Sequence, residues 1–139
     1  MREIKFRAWD KNDEVMRDWK DVILTKDKGD AFYMLGYEEN KVITSFDHTQ
    51  ILLQYTGLKD KNGVEIYEGD IIGNPNNKEK DNWYVSHHVV EWFDTGFMGK
   101  QLCSSSRIGL EHWTRGENGY VVIGNIYENP ELLETKKSS

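Results

Sequence analysis

Residues 54–72 read QYTGLKDKNGVEIYEGDII and decide the fold prediction for the whole chain. Asn62-Gly63 separates two runs that are able to pair, and Asn-Gly is the preferred pair for a type I′ turn because both central residues need a positive φ. Residues 64–68 alternate between apolar and polar faces, which is typical of a strand. Gly69-Asp70 then interrupts the pattern before the apolar pair Ile71-Ile72. The stretch therefore predicts a hairpin that leads directly into a further strand.

The remainder of the chain repeats this pattern of short strands separated by turn signals. Strands are predicted at 2–9, 15–16, 31–36, 41–45, 49–55, 83–93, 97–98 and 120–127. Residues 17–24 fit either a strand, which we favour, or a short helix, and a short helix is predicted for 106–113. Residues 73–82 are polar and predict a surface loop. Many short strands with frequent turns indicate an all-β sandwich or a small barrel.

Two further features concern the C-terminal end. Asn129 followed by Pro130 and Glu131 predicts one helical turn, with Asn129 as the N-cap. The last residues, 134–139, are polar and are predicted to be a disordered tail. The prediction is thus one domain over 1–139, with an N-terminal β region at 1–50 and a barrel core at 51–133.

Composition narrows the class of protein. The chain has 139 residues and a net charge of −6, so it has no overall electrostatic attraction to nucleic acid. The single cysteine, Cys103, has no partner within the chain for a disulfide, which indicates a reducing compartment. Residues 2–6 alternate in charge instead of forming an apolar run, so no signal peptide is expected. No apolar run is long enough to predict a transmembrane helix.

Histidines are the first candidate ligands for a metal. His87 and His88 are adjacent, and adjacent residues on a strand point to opposite faces, so they do not readily bind one metal ion. His48 and His112 are distant in sequence, and their spacing gives no evidence that they join a site. We therefore predict no metal site and no cofactor.

Carboxylates and the cysteine are the candidates for catalysis. Four carboxylates lie close to turns, where a side chain acting as an acceptor for nearby backbone amides is the simpler explanation: Asp10, Asp60, Glu68 and Asp70. Cys103 has no histidine in a recognisable pattern and is interpreted as a small buried residue. The phosphate-binding patterns GxxxxGK[ST] and GxGxxG are absent from the sequence. We predict no catalytic residues.

Aromatic residues are abundant and allow two interpretations. They either fill a core that is poor in aliphatic residues or form a stacking platform for single-stranded nucleic acid. Core packing is favoured, although Tyr67 and Trp92 are candidates for facing a partner. The platform hypothesis also uses four basic residues, Lys5, Arg7, Lys59 and Lys61. The aromatic residues concerned are Trp9, Trp19, Trp83, Trp92, Trp113, Tyr55, Tyr67, Tyr84, Tyr120 and Tyr127.

Three blocks together resemble one family: REIKFRAWD at 2–10, QYTGLKDKNGVEIYEGDII at 54–72 and VIGNIYENPELL at 122–133. They are similar to the YopX family, which is encoded largely by phages and prophages of Gram-positive bacteria. The intervening stretches 11–48, 73–88 and 100–118 carry no motif of that family. The resemblance implies an SH3-like small β-barrel core with an added N-terminal β region, and it implies no catalytic residues.

These observations favour a non-enzymatic accessory protein of a phage or prophage. It would act through protein contacts in the host cytoplasm, as a homo-oligomer or with a host or phage protein. The alternative is a β-barrel that binds single-stranded nucleic acid. An enzyme would require a cluster of polar side chains that the sequence does not reveal. No membrane association is predicted.

Overall fold

The computed structural model describes residues 4–26, 32–38, 41–44, 50–77, 83–117 and 119–133. Within the described residues the protein is mainly β with one short α-helix, and one of its sheets is curled into a half-barrel. The predicted mainly β fold is confirmed, while the specific SH3-like form stays a prediction. Within the described residues, no helix combines the length and the apolarity needed to cross a membrane.

Twelve strands and one short α-helix are described, and their bounds differ in places from the sequence prediction. They are β1 (Phe6–Asp10), β2 (Val15–Arg17), β3 (Val22–Lys26), β4 (Phe32–Glu38), β5 (Lys41–Thr44), β6 (Gln50–Lys59), β7 (Glu65–Tyr67), β8 (Asp70–Gly73), β9 (His88–Phe93), β10 (Gly96–Gln101), β11 (Arg107–Gly109), α1 (Leu110–Trp113) and β12 (Val121–Asn125). Four short 3₁₀ helices lie at Trp19–Asp21, Pro75–Asn77, Trp83–Ser86 and Pro130–Leu133.

The chain divides into two compact units, an N-terminal unit at 4–54 and a C-terminal unit at 55–133. Strand β6 runs through the division, which falls between Gln54 and Tyr55. The prediction that the chain forms a single domain, with a boundary after residue 50, stays a prediction. The predicted tail at 134–139 lies outside the described residues.

The N-terminal unit is built from antiparallel pairs. Strand β1 pairs with β2 on one side and with the first half of β6 on the other, so that Ala8 lies opposite both Arg17 and Leu52. Ala8 is fully buried, as the alternating pattern of the sequence predicts. Strands β3, β4 and β5 form a separate three-stranded antiparallel sheet.

Asp10 organises the turn between β1 and β2. Its Oδ1 accepts hydrogen bonds from the backbone amides of Asn12 and Asp13, at 2.9 and 3.0 Å. Its Oδ2 accepts two hydrogen bonds from Arg17, from Nη2 at 2.8 Å and from Nε at 3.2 Å. Both side chains are buried, and Arg17 Nη2 also contacts Asp13 Oδ2 at 3.0 Å. The Asp10 carboxylate thus accepts the hydrogen bonds of two backbone amides in the turn and neutralises the buried Arg17 guanidinium.

The C-terminal unit contains a five-stranded antiparallel sheet in the order β11-β10-β9-β8-β12. Side chains of this sheet contribute to a buried cluster of Ile66, Ile72, Val90 and Leu110, each of which is at most 2% exposed. Leu110 comes from α1, while Ile72 and Val90 come from the neighbouring strands β8 and β9. The apolar run of the sequence at 71–72 therefore reaches the centre of this unit.

The turn at Asn62-Gly63 is not type I′, and that prediction is wrong. Only Gly63 has a positive φ, of 83°, and Asn62 does not. The Gly63 amide donates to the Asp60 carbonyl at 2.9 Å, which is the type I arrangement with glycine at the last position. The Asp60 side chain explains the difference, because its Oδ1 accepts from the amides of Asn62 and Val64 and stabilises the type I form.

Two predicted elements are shorter than expected and begin later. Residues 83–86 form a 3₁₀ helix, closed by the His87 amide on the Tyr84 carbonyl at 3.0 Å, so the predicted strand 83–93 begins only at His88. The helix predicted for 106–113 is confined to α1, because residues 107–109 pair with β10 as β11. The strand favoured for 17–24 is wrong over Trp19–Asp21, which form a 3₁₀ helix, while the part from Val22 lies in β3.

The predicted loop 73–82 also contains a 3₁₀ helix at Pro75–Asn77, and residues 78–82 lie outside the described part of the chain. The helical turn at Pro130 is present in 3₁₀ form. Asn129 begins it with its carbonyl, which accepts from the Leu132 amide at 3.0 Å. Its side-chain oxygen does not cap this turn, because it accepts from the Asn125 amide at 3.1 Å and ties the turn to β12.

Candidate functional site

The two adjacent histidines are buried and held by backbone carbonyls. His88 Nδ1 lies 2.7 Å from the Ser86 carbonyl, and His87 Nδ1 lies 3.4 Å from the Leu132 carbonyl. Burial lowers the pKa of both rings; the carbonyl contacts act in the opposite direction, and the charge of His88 adds to the lowering at His87. His112 is exposed against Trp113, and His48 lies outside the described residues. Within the described chain, no three His, Cys, Asp or Glu side chains are grouped to hold a metal ion.

The carboxylates that the sequence analysis named as candidates each have a different structural role. Asp60 accepts from three backbone amides, those of Asn62 and Val64 within the turn and that of Val122 in β12 at 2.9 Å. Asp70, 1% exposed, accepts from the Tyr67 amide at 2.8 Å. Asp10 serves the β1–β2 turn in the other unit. Burial raises the pKa of Tyr127, and the charge of Glu68 adds to this effect.

Two expectations about individual side chains are wrong. Cys103 is exposed instead of buried, because it lies in the turn between β10 and β11. Tyr67 is buried instead of facing a partner, since its ring packs against that of Tyr55 at a centroid distance of 5.4 Å. Tyr67 is therefore no longer a candidate for contacting a partner.

The tryptophans divide between exposed and partly covered positions, so core packing does not account for all of them. Trp9 is half-buried, while Trp19, Trp92 and Trp113 are exposed, and the side chain of Trp83 lies outside the described part. Trp92 is the most exposed of them, at 51%. It lies opposite Phe97 in the β9–β10 pair, and the two rings meet edge-to-face at 5.0 Å. The exposure of Trp92 agrees with the sequence analysis, and the expectation that it faces a partner stays a prediction.

Phe97 also lines an open pocket of about 340 Å³ in the C-terminal unit. The pocket is formed by Thr56, Gly57 and Leu58 of β6, Phe97 of β10, and Gly109, Leu110 and Glu111 where β11 passes into α1. Leu58 and Phe97 are half-buried and pack on the buried cluster that contains Leu110. The pocket is therefore an opening onto the core, with an exposed tryptophan beside it. We call Trp92 and these seven lining residues the Trp92 surface.

An irregularity in β6 shapes one wall of this pocket. Tyr55 pairs with Tyr67 and Lys59 pairs with Glu65, so the register shifts across the intervening residues. Gly57 has a φ of 88°, a backbone conformation that residues with a side chain rarely adopt, and it adds no side chain to the wall. Thr56 Oγ1 stabilises the bulge by donating to the Ile66 carbonyl at 2.7 Å and accepting from the Leu58 amide at 3.2 Å. The stretch 54–72, which marks the fold, thus also supplies three of the seven residues that line the pocket.

Charged groups around the pocket are largely paired. Arg107 Nε contacts Glu91 Oε1 at 2.9 Å, and its guanidinium lies 3.8 Å from the ring centroid of Phe93. Glu111, on the pocket rim, forms an exposed ion pair with Arg115 one helical turn away. Glu111 is the only ionisable side chain among the seven lining residues. The lining therefore offers the apolar side chains of Leu58 and Phe97 to a ligand and offers no paired acid and base for proton transfer.

Comparison with known proteins finds one matching family and similar solved structures. The family model described as YopX protein matches residues 5–134. The solved structure of protein EF1440 from Enterococcus faecalis is 30% identical, with a TM-score of 0.69 over 96% of this chain and 100% of that one. The structure of protein yopX from Bacillus subtilis is 21% identical, with a TM-score of 0.61 over 94% of this chain and 98% of that one. No curated protein sequence matches the chain. Since the family model spans residues 5–134 of the 139, the chain belongs to the YopX family.

Proposed function

We propose that the chain is a non-enzymatic interaction module that binds a segment of a protein partner at the Trp92 surface. The observation that carries this proposal is the position of Trp92, 51% exposed and in edge-to-face contact with the pocket wall at Phe97. Tryptophan is enriched at the energetic centres of protein interfaces, where it packs beside a pocket that excludes water. An exposed tryptophan beside an opening onto the core fits that role.

The pocket lining supports binding over catalysis. Its side chains are threonine, leucine, phenylalanine and one exposed glutamate, and the Thr56 hydroxyl is already engaged with the backbone of β6 and β7. Nucleophilic catalysis needs a nucleophile and a base within hydrogen-bond reach of each other, whereas the Thr56 hydroxyl donates to the Ile66 carbonyl and Glu111 is paired with Arg115. A segment that places an apolar side chain in the pocket requires no such pair.

The charges of the C-terminal unit favour a protein ligand over nucleic acid. Residues 55–133 contain seven Lys and Arg against twelve Asp and Glu. Arg107 and Arg115, close to the exposed aromatic residues, each contact a carboxylate. Lys61 donates to the Glu117 carbonyl at 2.9 Å, while Lys5 and Arg7 belong to the other unit. A stacking platform for single strands needs a positive groove along the phosphates, and these charges do not provide one.

The biological setting is part of the same proposal. Membership of the YopX family supports a phage or prophage accessory protein, and the two solved relatives come from bacteria, Enterococcus faecalis and Bacillus subtilis. The lone cysteine supports action in the reducing cytoplasm of the host. The partner is a host or phage protein, or a second copy of the chain.

Replacing Trp92 tests the proposal, and Trp113 supplies a matched control. Both are exposed, but Trp113 is not one of the lining residues, and its ring packs against those of His112 and Tyr120. We expect Trp92→Ala to lower the amount of partner captured from the bacterial host by about 30-fold or more, because losing a central interface tryptophan costs about 2 kcal/mol or more. Trp113→Ala is expected to capture as much as the unmodified protein. Quantitative mass spectrometry of tagged variants measures both.

Two results would contradict the proposal. One is equal capture by the Trp92→Ala and Trp113→Ala variants. The other is tight binding of a single-stranded oligonucleotide that weakens steeply with salt, which would favour the nucleic-acid alternative.

A further inference from the structure

We infer that the partner segment carries one bulky apolar side chain flanked by lysine or arginine. This inference rests on the proposed function and specifies the chemistry of its ligand. The apolar side chain enters the pocket between Leu58, Phe97 and Leu110, and the basic side chain lies against the rim at Glu111.

The size and shape of the pocket define the apolar anchor. A volume of about 340 Å³ lies at the lower end of the range for ligand sites, which suits a single large side chain better than a folded surface. Leu58 and Phe97 are the half-buried apolar side chains of the lining, and they pack on the core cluster that contains Leu110, so an entering group contacts these two side chains. Gly57 and Gly109 add no side chains to the walls, and this leaves room for the ligand backbone to approach.

Charge defines the flanking residues. Glu111 is the only ionisable group in the lining, and the C-terminal unit has an excess of five acidic residues, from twelve against seven. The negative charge of this unit attracts a basic segment during association and repels an acidic one. The pairing of Glu111 with Arg115 does not remove this preference, since exposed pairs one helical turn apart contribute little and exchange readily.

Three fluorescein-labelled nonapeptides test the inference by fluorescence anisotropy on the full chain: GSKGFGKSG, GSKGAGKSG and GSEGFGESG. We expect the first to bind about tenfold more tightly than the second, because the anchor is lost. We expect it to bind about fivefold more tightly than the third, because the flanking charge is reversed. Glu111→Lys should abolish or invert the preference between the first and third peptides. Arg115→Ala should tighten the first by exposing the Glu111 charge.

Both variants alter exposed side chains, so thermal unfolding is expected to remain close to that of the unmodified protein and serves as the control for folding. The inference is overturned if the alanine peptide binds as well as the phenylalanine peptide. It is equally overturned if none of the three binds at millimolar concentration, or if Glu111→Lys leaves the preference for lysine unchanged. Those results, together with partner capture that still depends on Trp92, would leave the proposed function standing.

Discussion

Arg17→Ala is expected to lower the free energy of unfolding of the N-terminal unit by about 3–5 kcal/mol, because it leaves a buried carboxylate without its counter-charge. Arg17 and Asp10 have side chains only 5% and 4% exposed and are joined by two hydrogen bonds. Urea unfolding at neutral pH measures the effect. Asp13→Ala removes the half-exposed partner of the same guanidinium and is expected to cost less than about 1 kcal/mol.

A double variant separates the unpaired charge from lost packing. Asp10→Asn with Arg17→Met keeps an oxygen acceptor for the Asn12 and Asp13 amides and leaves no buried charge. We expect this variant to be more stable than Arg17→Ala, since breaking a buried pair costs more than replacing both partners. If Arg17→Ala unfolds within 1 kcal/mol or so of the unmodified protein, the buried pair does not have the role assigned to it.

The same pair predicts a pH dependence. Burial alone would raise the pKa of Asp10, but hydrogen bonds from the Asp13 amide, Gln50, Arg17 and the Asn12 amide lower it from 3.8 to about 2. Because the folded pKa lies below the unfolded one, the stabilisation is complete above pH 3.8 and is lost as the pH falls toward 2. The loss over this interval is about 2 kcal/mol. Arg17→Ala should show a shallower decline there.

Asp60→Ala is expected to destabilise the C-terminal unit by about 3 kcal/mol or more, because three backbone amides lose a charged acceptor. Two of these amides belong to the β6–β7 turn, and the third, of Val122, joins that turn to β12 across 62 residues of sequence. Chemical unfolding followed by tryptophan fluorescence measures the loss. The Asp60 side chain therefore stabilises both the β6–β7 turn and the contact of that turn with β12.

Asp60→Asn is the matched variant for this prediction. Asparagine retains one acceptor oxygen, so it can serve either the turn amides or the Val122 amide but not both. We expect a loss of roughly 1–2 kcal/mol, between the unmodified protein and Asp60→Ala. Equal stability of all three proteins would show that the turn is held by its backbone geometry alone.

Local chemistry explains why much of the fold was predictable. Alternation and turn residues located most strands, and Asp10, Asp60 and Asp70 accept hydrogen bonds close to the turns where the sequence expected them. The turn type was missed because Asn62-Gly63 fits a type I′ turn by propensity, whereas the Asp60 carboxylate stabilises the type I form. The early part of the predicted strand at 83–93 failed for a similar reason, since a local hydrogen bond closes a 3₁₀ turn there.

The candidate site depends on contacts that no local pattern contains. Its residues come from three separated segments, around positions 57, 97 and 110, which lie on strands of two different sheets and at the start of α1. The bulge at Gly57 was invisible because Thr-Gly is equally compatible with an ordinary turn. The sequence analysis named Trp92 as a candidate for a surface position. Its edge-to-face contact with Phe97 could not be predicted, because it depends on the register between β9 and β10. Tyr67 had the same sequence signal and is buried.

The Trp92 surface is tested most directly by photo-crosslinking in the bacterial host. p-Benzoylphenylalanine is placed at position 92 in one protein and at position 113 in a second, since both native side chains are exposed tryptophans. The account predicts that position 92 gives a crosslink to a defined protein partner and that position 113 does not. The same crosslinked products from both positions, or none from position 92, would contradict binding at this surface.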